Sequence, residues 1–226
     1  MKLLVESDDP ETIAAALAAA GNASHIEVVI IPACAPRTKP KALNVGLARA
    51  WGDFVVIYDA EDRPHAQQLN AALAAFEDGA AELACVQAPL VIDNADESWI
   101  SRQFAAEYAI QFREMLPLLA HFKLPLPLGG TSNHFRTEVL RQCGGWDPFN
   151  VTEDADLGYR LARDGYRVDV IGPPTYEEAP VTFNAWLNQR TRWIKGHLQT
   201  WLVLMRNPFR TAREMARHRG ARLVAV

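Results

Sequence analysis

Short apolar strands alternate with helical segments along the first two-thirds of this chain. That alternation restricts it to an α/β layer architecture with a mostly parallel sheet flanked by helices. Residues 2–6 and the β-branched run at 26–31 read as strands, with an alanine-rich helix over 11–20 between them. Pro10 opens that helix, where a first turn tolerates a residue without an N–H. A proline-rich loop, 32–40, leads into helical 41–51, a buried strand at 54–58, a helix over 65–76 and a short strand at 83–86. Residues 97–121 read as one long helix broken near Pro117. Beyond it come a strand near 133–136, a helix over 137–143, the turn Gly144-Gly145, a helix over 154–164 stopped by Gly165, and a strand at 167–171. Residues 182–205 form a long helix in which Leu187, Ile194, Leu198, Trp201 and Met205 recur at helical spacing and so share one face.

The length of 226 residues suffices to bury a core, and an apolar fraction of 49% with 22% charged residues excludes global disorder. Cys34, Cys85 and Cys143 are far apart and follow no metal-ligand spacing, which points to reduced thiols in a cytosolic setting. No apolar run approaches the roughly 20 residues that cross a bilayer, and the N-terminus has no signal-peptide pattern. The net charge of −4 hides an asymmetry. From Asn184 onward nine Lys and Arg stand against one acid, Glu214, so this segment is basic and the remainder strongly acidic. A basic segment of this kind is suited to meet phosphate, whether of a lipid headgroup, a nucleotide or a nucleic acid.

Four segments carry chemistry. The strand Phe54-Val55-Val56-Ile57 ends in Tyr58-Asp59-Ala60-Glu61-Asp62. Ligands of open α/β sheets bind beyond the carboxyl ends of strands, and carboxylates there suit a hard cation such as Mg²⁺ or Mn²⁺ against a diphosphate, with Asp59 and Glu61 as its ligands. Thr152-Glu153-Asp154 precedes a helix, where a carboxylate can serve as general base. Gln189-Arg190-Thr191-Arg192-Trp193 combines guanidinium groups with a ring, a set that clamps a diphosphate and stacks on a sugar. Lys39-Pro40-Lys41-Ala42-Leu43-Asn44 is a basic loop entering a helix, where anions bind. Each has an ordinary structural explanation when taken alone: a solvated polar turn, a helix cap with its charge–dipole contribution, a basic helix face whose Trp packs inward, and a basic loop.

Their order and spacing distinguish them. Lys-x-x-Asn, Asp-Ala-Glu-Asp after a strand, Gly129-Gly130-Thr131-Ser132-Asn133, Gly-Gly-Trp followed by Thr-Glu-Asp-Ala-Asp-Leu, and Gln-x-x-Arg-Trp together resemble family 2 glycosyltransferases, over about residues 3–208. The branch they most resemble is the processive, cellulose-synthase-like one. The resemblance implies a GT-A (Rossmann-like) fold that uses a UDP-sugar with Mg²⁺ or Mn²⁺ and inverts the anomeric centre. It implies Asp154 as the catalytic base, and Asp59 and Glu61 as metal ligands unless Asp62 takes the second place. It implies donor contacts from Glu6, Asp8, Lys41, Asn44, Asp59, Gln189, Arg192 and Trp193, and acceptor contacts from Gly130, Thr131, Ser132, Glu153 and Trp193. The acceptor would be a glycan or lipid at the cytosolic face of the plasma membrane, and no nucleic acid is expected.

Two departures from the family pattern stand out. The family begins with a strand and helix that this chain lacks, so residues 2–6 correspond to a second strand, and Glu6-Ser7-Asp8-Asp9 stands where a uridine-binding Asp-Asp-Gly is expected. The transmembrane helices expected after Gln-x-x-Arg-Trp are also missing, and an amphipathic basic stretch over 209–222 suits an anionic membrane surface instead. These features divide the chain into a GT-A domain over 1–181 and a helix with a membrane-interface segment over 182–226. They leave two rivals: a fragment that folds and binds nucleotide without turnover, and a basic module that binds membrane or nucleic acid.

Overall fold

The computed structural model describes residues 1–209 together with Arg213 and Glu214. Most of the basic stretch over 209–222 therefore lies outside the described residues. Strand β1 (Lys2–Glu6) leads to helix α1 (Pro10–Ala20) and strand β2 (Glu27–Ile31). The Asp9 carboxylate caps α1 by accepting the Thr12 N–H at 3.0 Å, with Pro10 at the first helical position. β1 and β2 pair in parallel, as a sheet of their own. Helix α2 (Lys39–Ala48) lies against β1: a Cβ added at Gly46 would stand 3.0 Å from the Leu4 Cδ2.

The main sheet has four strands in the order β3–β7–β5–β8: Phe54–Ile57, Asn133–Arg136, Leu83–Gln87 and Arg167–Val170. β5 and β8 are parallel, while β7 runs antiparallel to both β3 and β5. A small third sheet, β4–β9–β6, joins Arg63–Pro64, Thr175–Glu177 and Leu90–Ile92. The α/β layering is as expected, but the pairing is mixed rather than mostly parallel. The reversal comes from β7, which enters the sheet from the loop over 129–132 instead of after a crossover helix. Helix α3 (Gln68–Asp78) covers one side through Ala72 and Phe76, which pack on Leu83 and Val86.

The register shows why a site forms at one edge. Asn133, the first residue of β7, pairs with both Ile57 and Gln87, the last residues of β3 and β5, and Gln87 also pairs with Val170 at the end of β8. The carboxyl ends of three strands and the loop entering the fourth therefore meet along one line. Ser132, at φ +58°, makes the bend: its N–H donates to Ile57 O at 2.8 Å and its carbonyl accepts from Ala88 N at 3.0 Å.

The long middle helix is three segments: α4 (Trp99–Ala109), a π-helical turn over Ile110–Met115, and α5 (Leu116–His121). The irregularity precedes Pro117 rather than falling on it. Proline has no N–H to donate to the carbonyl four residues back and its ring crowds that carbonyl, so the turn before it widens. Phe104, Tyr108, Phe112 and Leu116 from these segments are buried in the main core, with Leu157 and Leu161 of α7 (Glu153–Arg163). Helix α6 (Thr137–Gln142) adds Leu140, also fully buried.

Helix α8 (Phe183–Leu204) follows β9. Leu187, Ile194, Leu198, Trp201 and Met205 share a face, as their spacing implies, yet all five are exposed. The buried residues of α8 are Gly196 and Thr200, so the apolar stripe points outward.

Candidate active site

The carboxylates expected to hold a metal hang from the end of β3. Asp62 turns back beneath the loop: its Oδ2 accepts the Asp59 N–H at 2.7 Å and the Thr131 hydroxyl. Its Oδ1 is buried without a partner, and burial raises its pKa. Asp59 and Glu61 instead face a cavity of about 1010 Å³. The facing wall is Gly129–Thr131, and a buried glutamine that sequence reasoning missed fixes it. The Gln87 side chain accepts the Gly129 N–H at 2.8 Å and donates to Thr131 O at 3.0 Å. A buried amide at the end of a core strand is the signal that could have found it.

Glu153 and Asp154 begin α7 and also line the cavity. Asp154 is half-buried. Burial raises its pKa, against the N–H of Ala155, which donates to Oδ1 at 2.8 Å, and the nearby charge of Lys39. Glu153 is pushed up to about 7, first by burial and then by the charge of Asp154. A Cβ at Gly130 would stand 3.3 Å from Asp154 Oδ2, so the glycine leaves that oxygen open to the cavity.

Two contacts hold α8 against this segment. A Cβ at Gly196 would lie 2.5 Å from Thr152 Oγ1, so only glycine lets the helix pass this closely. Asn150 donates to Thr200 Oγ1 at 2.9 Å while its Oδ1 accepts the Thr152 N–H at 3.0 Å. A glycine inside a strong helix pattern was the sequence sign of this crossing. It brings Gln189, Arg192 and Trp193 to the cavity wall. The Gln189 Oε1 is buried there without a partner. Trp193 packs on Phe104 with ring centroids 5.9 Å apart, and the Arg190 guanidinium lies over both rings.

The cavity thus gathers Asp59, Glu61, Gly130, Thr131, Glu153, Asp154, Gln189, Arg192 and Trp193. Glu6, Asp8, Lys41, Asn44 and Ser132 are not among its lining residues. Lys41 Nζ pairs with Glu6 at 2.8 Å and donates to the carbonyls of Pro32 and Cys34, tying α2 to β1 and the loop after β2. Asn44 clamps the Trp146 backbone, donating to its carbonyl at 2.7 Å and accepting its N–H at 3.0 Å. Asp8 pairs with Arg37, and the Ser132 hydroxyl meets that of Thr175 in the interior. From this segment Arg37 and Lys39 line the cavity, and the one that meets its acids is Lys39. Its ammonium pairs with Asp59 and donates to Gly130 O at 2.7 Å.

The donor set fits a hard divalent cation. Among the described residues no three His, Cys, Asp or Glu side chains cluster as a complete protein cage. Two carboxylates facing a cavity that holds basic groups match an ion that completes its shell with phosphate oxygens and water. Asp59 already faces a cation in Lys39.

Residues 54–225 match the profile of glycosyl transferase family group 2. The chain belongs to that family. It is 28% identical over 189 residues to the Bacillus subtilis protein designated "probable glycosyltransferase YdaM", covering 83% of this chain and 44% of that one. It is 27% identical over 176 residues to the β-monoglucosyldiacylglycerol synthase of Trichormus variabilis, covering 75% of this chain and 36% of the relative. The chain thus spans less than half the length of these relatives. Among solved structures it resembles a Pyrobaculum calidifontis mannosyltransferase bound to GDP-mannose and Mn²⁺, with a TM-score of 0.59 at 21% identity over 88% of this chain and 59% of that one. Glucosyl-3-phosphoglycerate synthase of Mycobacterium tuberculosis, bound to Mn²⁺, UDP and phosphoglyceric acid, aligns at a TM-score of 0.51 and 16% identity, over 88% and 66% of the two chains. These likenesses establish the GT-A glycosyltransferase fold.

Proposed function

We propose that this family member transfers a sugar, with inversion at C1, from a UDP-sugar to a glycan or lipid acceptor at the cytosolic membrane face. The observation that carries this reading is the convergence of Asp59, Glu61, Asp154 and Arg192 on one cavity. Asp154 Oδ2 takes the proton of the acceptor hydroxyl as that oxygen bonds to C1 and the C1–phosphate bond breaks. Its raised pKa strengthens it as a base relative to an ordinary aspartate. Charge building on the departing diphosphate is met by Arg192 and Lys39. A Mg²⁺ or Mn²⁺ ion held by Asp59 and Glu61 would supply Lewis-acid neutralisation of the same charge. Gln189 and Trp193 hold the diphosphate and stack on a sugar ring. Gly130, Thr131 and Glu153 shape the acceptor side.

The outward stripe of α8 supports assigning 182–226 as a membrane-interface segment, in keeping with the processive, cellulose-synthase-like branch. Release of UDP from a panel of UDP-sugars, with Mn²⁺ and with EDTA, tests the reading. Turnover that is abolished by EDTA and by Asp59→Ala is expected; equal release with and without the ion contradicts the metal assignment.

A second reading, a domain that binds nucleotide without turnover, is favoured by one feature. Among the described residues β1 pairs only with β2, so no strand links it to β3. Nucleotide binding with no UDP release from any donor would select it.

A further inference from the structure

The cavity contains a carboxyl that none of these roles uses. Glu177 ends β9, in the small sheet that the loop after β3 enters through β4. Its backbone is fixed: β9 pairs in parallel with β6, Ile92 opposite Glu177, and Glu177 O accepts the Asp93 N–H at 3.1 Å. Its side chain lines the cavity, as does that of Tyr108, and the two groups interact. Tyr108 is itself buried, its ring held between Phe104 at 4.8 Å and Phe112 at 5.3 Å between centroids. The pair therefore stands on a rigid strand end and a packed aromatic floor.

Its position relative to the other groups is informative. The Glu177 carboxyl interacts electrostatically with Asp62, Asp59 and Glu61, the groups at the diphosphate end. The Tyr108 hydroxyl interacts electrostatically with Asp154, the proposed base. A sugar undergoing transfer must lie between those two ends, since its C1 is bonded to the diphosphate on one side and attacked from the other. A carboxyl and a phenol beside aromatic rings match what a pyranose presents, with hydroxyls around its edge and C–H groups on its faces. Polar groups placed with such rigidity beside aromatic rings fix orientation and provide specificity.

We infer that Glu177, beside Tyr108 in the same cavity, binds hydroxyls of the sugar being transferred and so sets which UDP-sugar this protein accepts. The inference rests on the donor reading above and adds to it the group that chooses among donors. A site built to hydrogen-bond a substrate hydroxyl rejects the analogue in which that hydroxyl is missing or misdirected, because the buried partner is left unpaired. Glu177 is thus assigned a binding role, distinct from the proton transfer given to Asp154.

The test compares UDP-glucose with UDP-galactose, its C4 epimer, and with UDP alone, on the full chain. In Glu177→Gln, the wild-type ratio of kcat/KM between the two sugars should fall by roughly tenfold or more. The gain in affinity of the preferred UDP-sugar over UDP should shrink alongside it, while the Kd for UDP stays within about threefold of wild type. Tyr108→Phe, which keeps the ring, should compress the same ratio by about threefold, and it decides the matter if Glu177→Gln does not fold. Equal losses for both sugars, with the ratio and the binding gain unchanged, would show a purely structural residue and overturn the inference. If wild type binds UDP-sugars without releasing UDP, the transfer reading fails while the binding gain still decides the role of Glu177. If wild type binds no nucleotide, both readings fall together.

Discussion

The β1–β2 layer and the four-stranded sheet are built by different means. The sheet is packed: Ala84, Cys85 and Val86 of β5 are fully buried, and the large core cluster joins it to α4, α6 and α7. The β1–β2 layer buries Val5, Val29 and Ile31, but its links to the rest include ion pairs, the largely buried Lys41 with Glu6 and the more exposed Asp8 with Arg37. Packing fixes atoms to within a fraction of an ångström, whereas exposed ion pairs contribute little to stability. The cavity follows this division. Its acids and the proposed base Asp154 sit on the packed part, while Glu6 and Asp8, expected to read the nucleotide, lie in the layer that is less firmly held and do not line it. The cavity's acids thus have the packed scaffold, and Glu6 and Asp8 have the looser one.

The sharpest way to separate the two regions is to displace α8 from the packed part. Gly196→Val places a side chain against Thr152 and pushes the helix that carries Gln189 and Arg192 away from Asp154. We expect kcat/KM to drop by roughly 100-fold with the β1–β2 layer undisturbed, as steady-state kinetics and amide exchange would show. A matched pair of core truncations comes next. Val86→Ala in β5 should cost roughly 2–3 kcal/mol, and Val29→Ala in β2 roughly 1 kcal/mol, in denaturant unfolding. Equal costs would break the contrast.

A smaller effect distinguishes two lysines in one loop. Lys39→Met should weaken UDP-sugar binding by about tenfold through loss of a charge facing the diphosphate. Lys41→Met should leave binding within about twofold and lower the melting temperature by a few degrees. Titration calorimetry and a thermal melt on each variant measure both. The reverse pattern would return the donor role to Lys41.

The two lysines also show how far sequence could go. The basic loop was recognisable, but the helix begins at Lys39 rather than at residue 41, and two positions on a helix turn the side chain to another face. The same limit explains α8, whose apolar spacing defined a single face without saying whether it points inward or outward. The acidic loop after β3, the start of α7 and the Gln-x-x-Arg-Trp turn were legible as cavity-lining segments because each follows a strong local signal: a strand end, a helix start or a helix face. The β4–β9–β6 sheet was not, because strands of two or three residues carry no periodicity. Glu177 was hidden with it. The mixed strand pairing was equally out of reach, since it depends on the long-range insertion of β7 between β3 and β5.

The smallest predicted effect is a pH dependence of stability confined to the cavity side. Glu153 and Glu177 are each raised to about 7, mainly by burial. In the unfolded chain both would titrate at the ordinary glutamate value, so the folded state binds protons more tightly between the two. The stability this confers is present at low pH and is lost as pH rises through about 7. The melting temperature should fall by a few degrees between about pH 6 and 8, and Glu153→Gln should flatten part of that slope. A melting temperature that rises over this interval would contradict the assignment.

The central claim is that Asp154 works as the base within a cavity whose nucleotide-binding parts do not depend on it. The direct measurement is sugar transfer and UDP affinity for Asp154→Asn beside wild type. Loss of transfer by about 1000-fold or more, with the Kd for UDP within a few-fold, is the predicted result. A parallel loss of both, or transfer that survives the substitution, would contradict it.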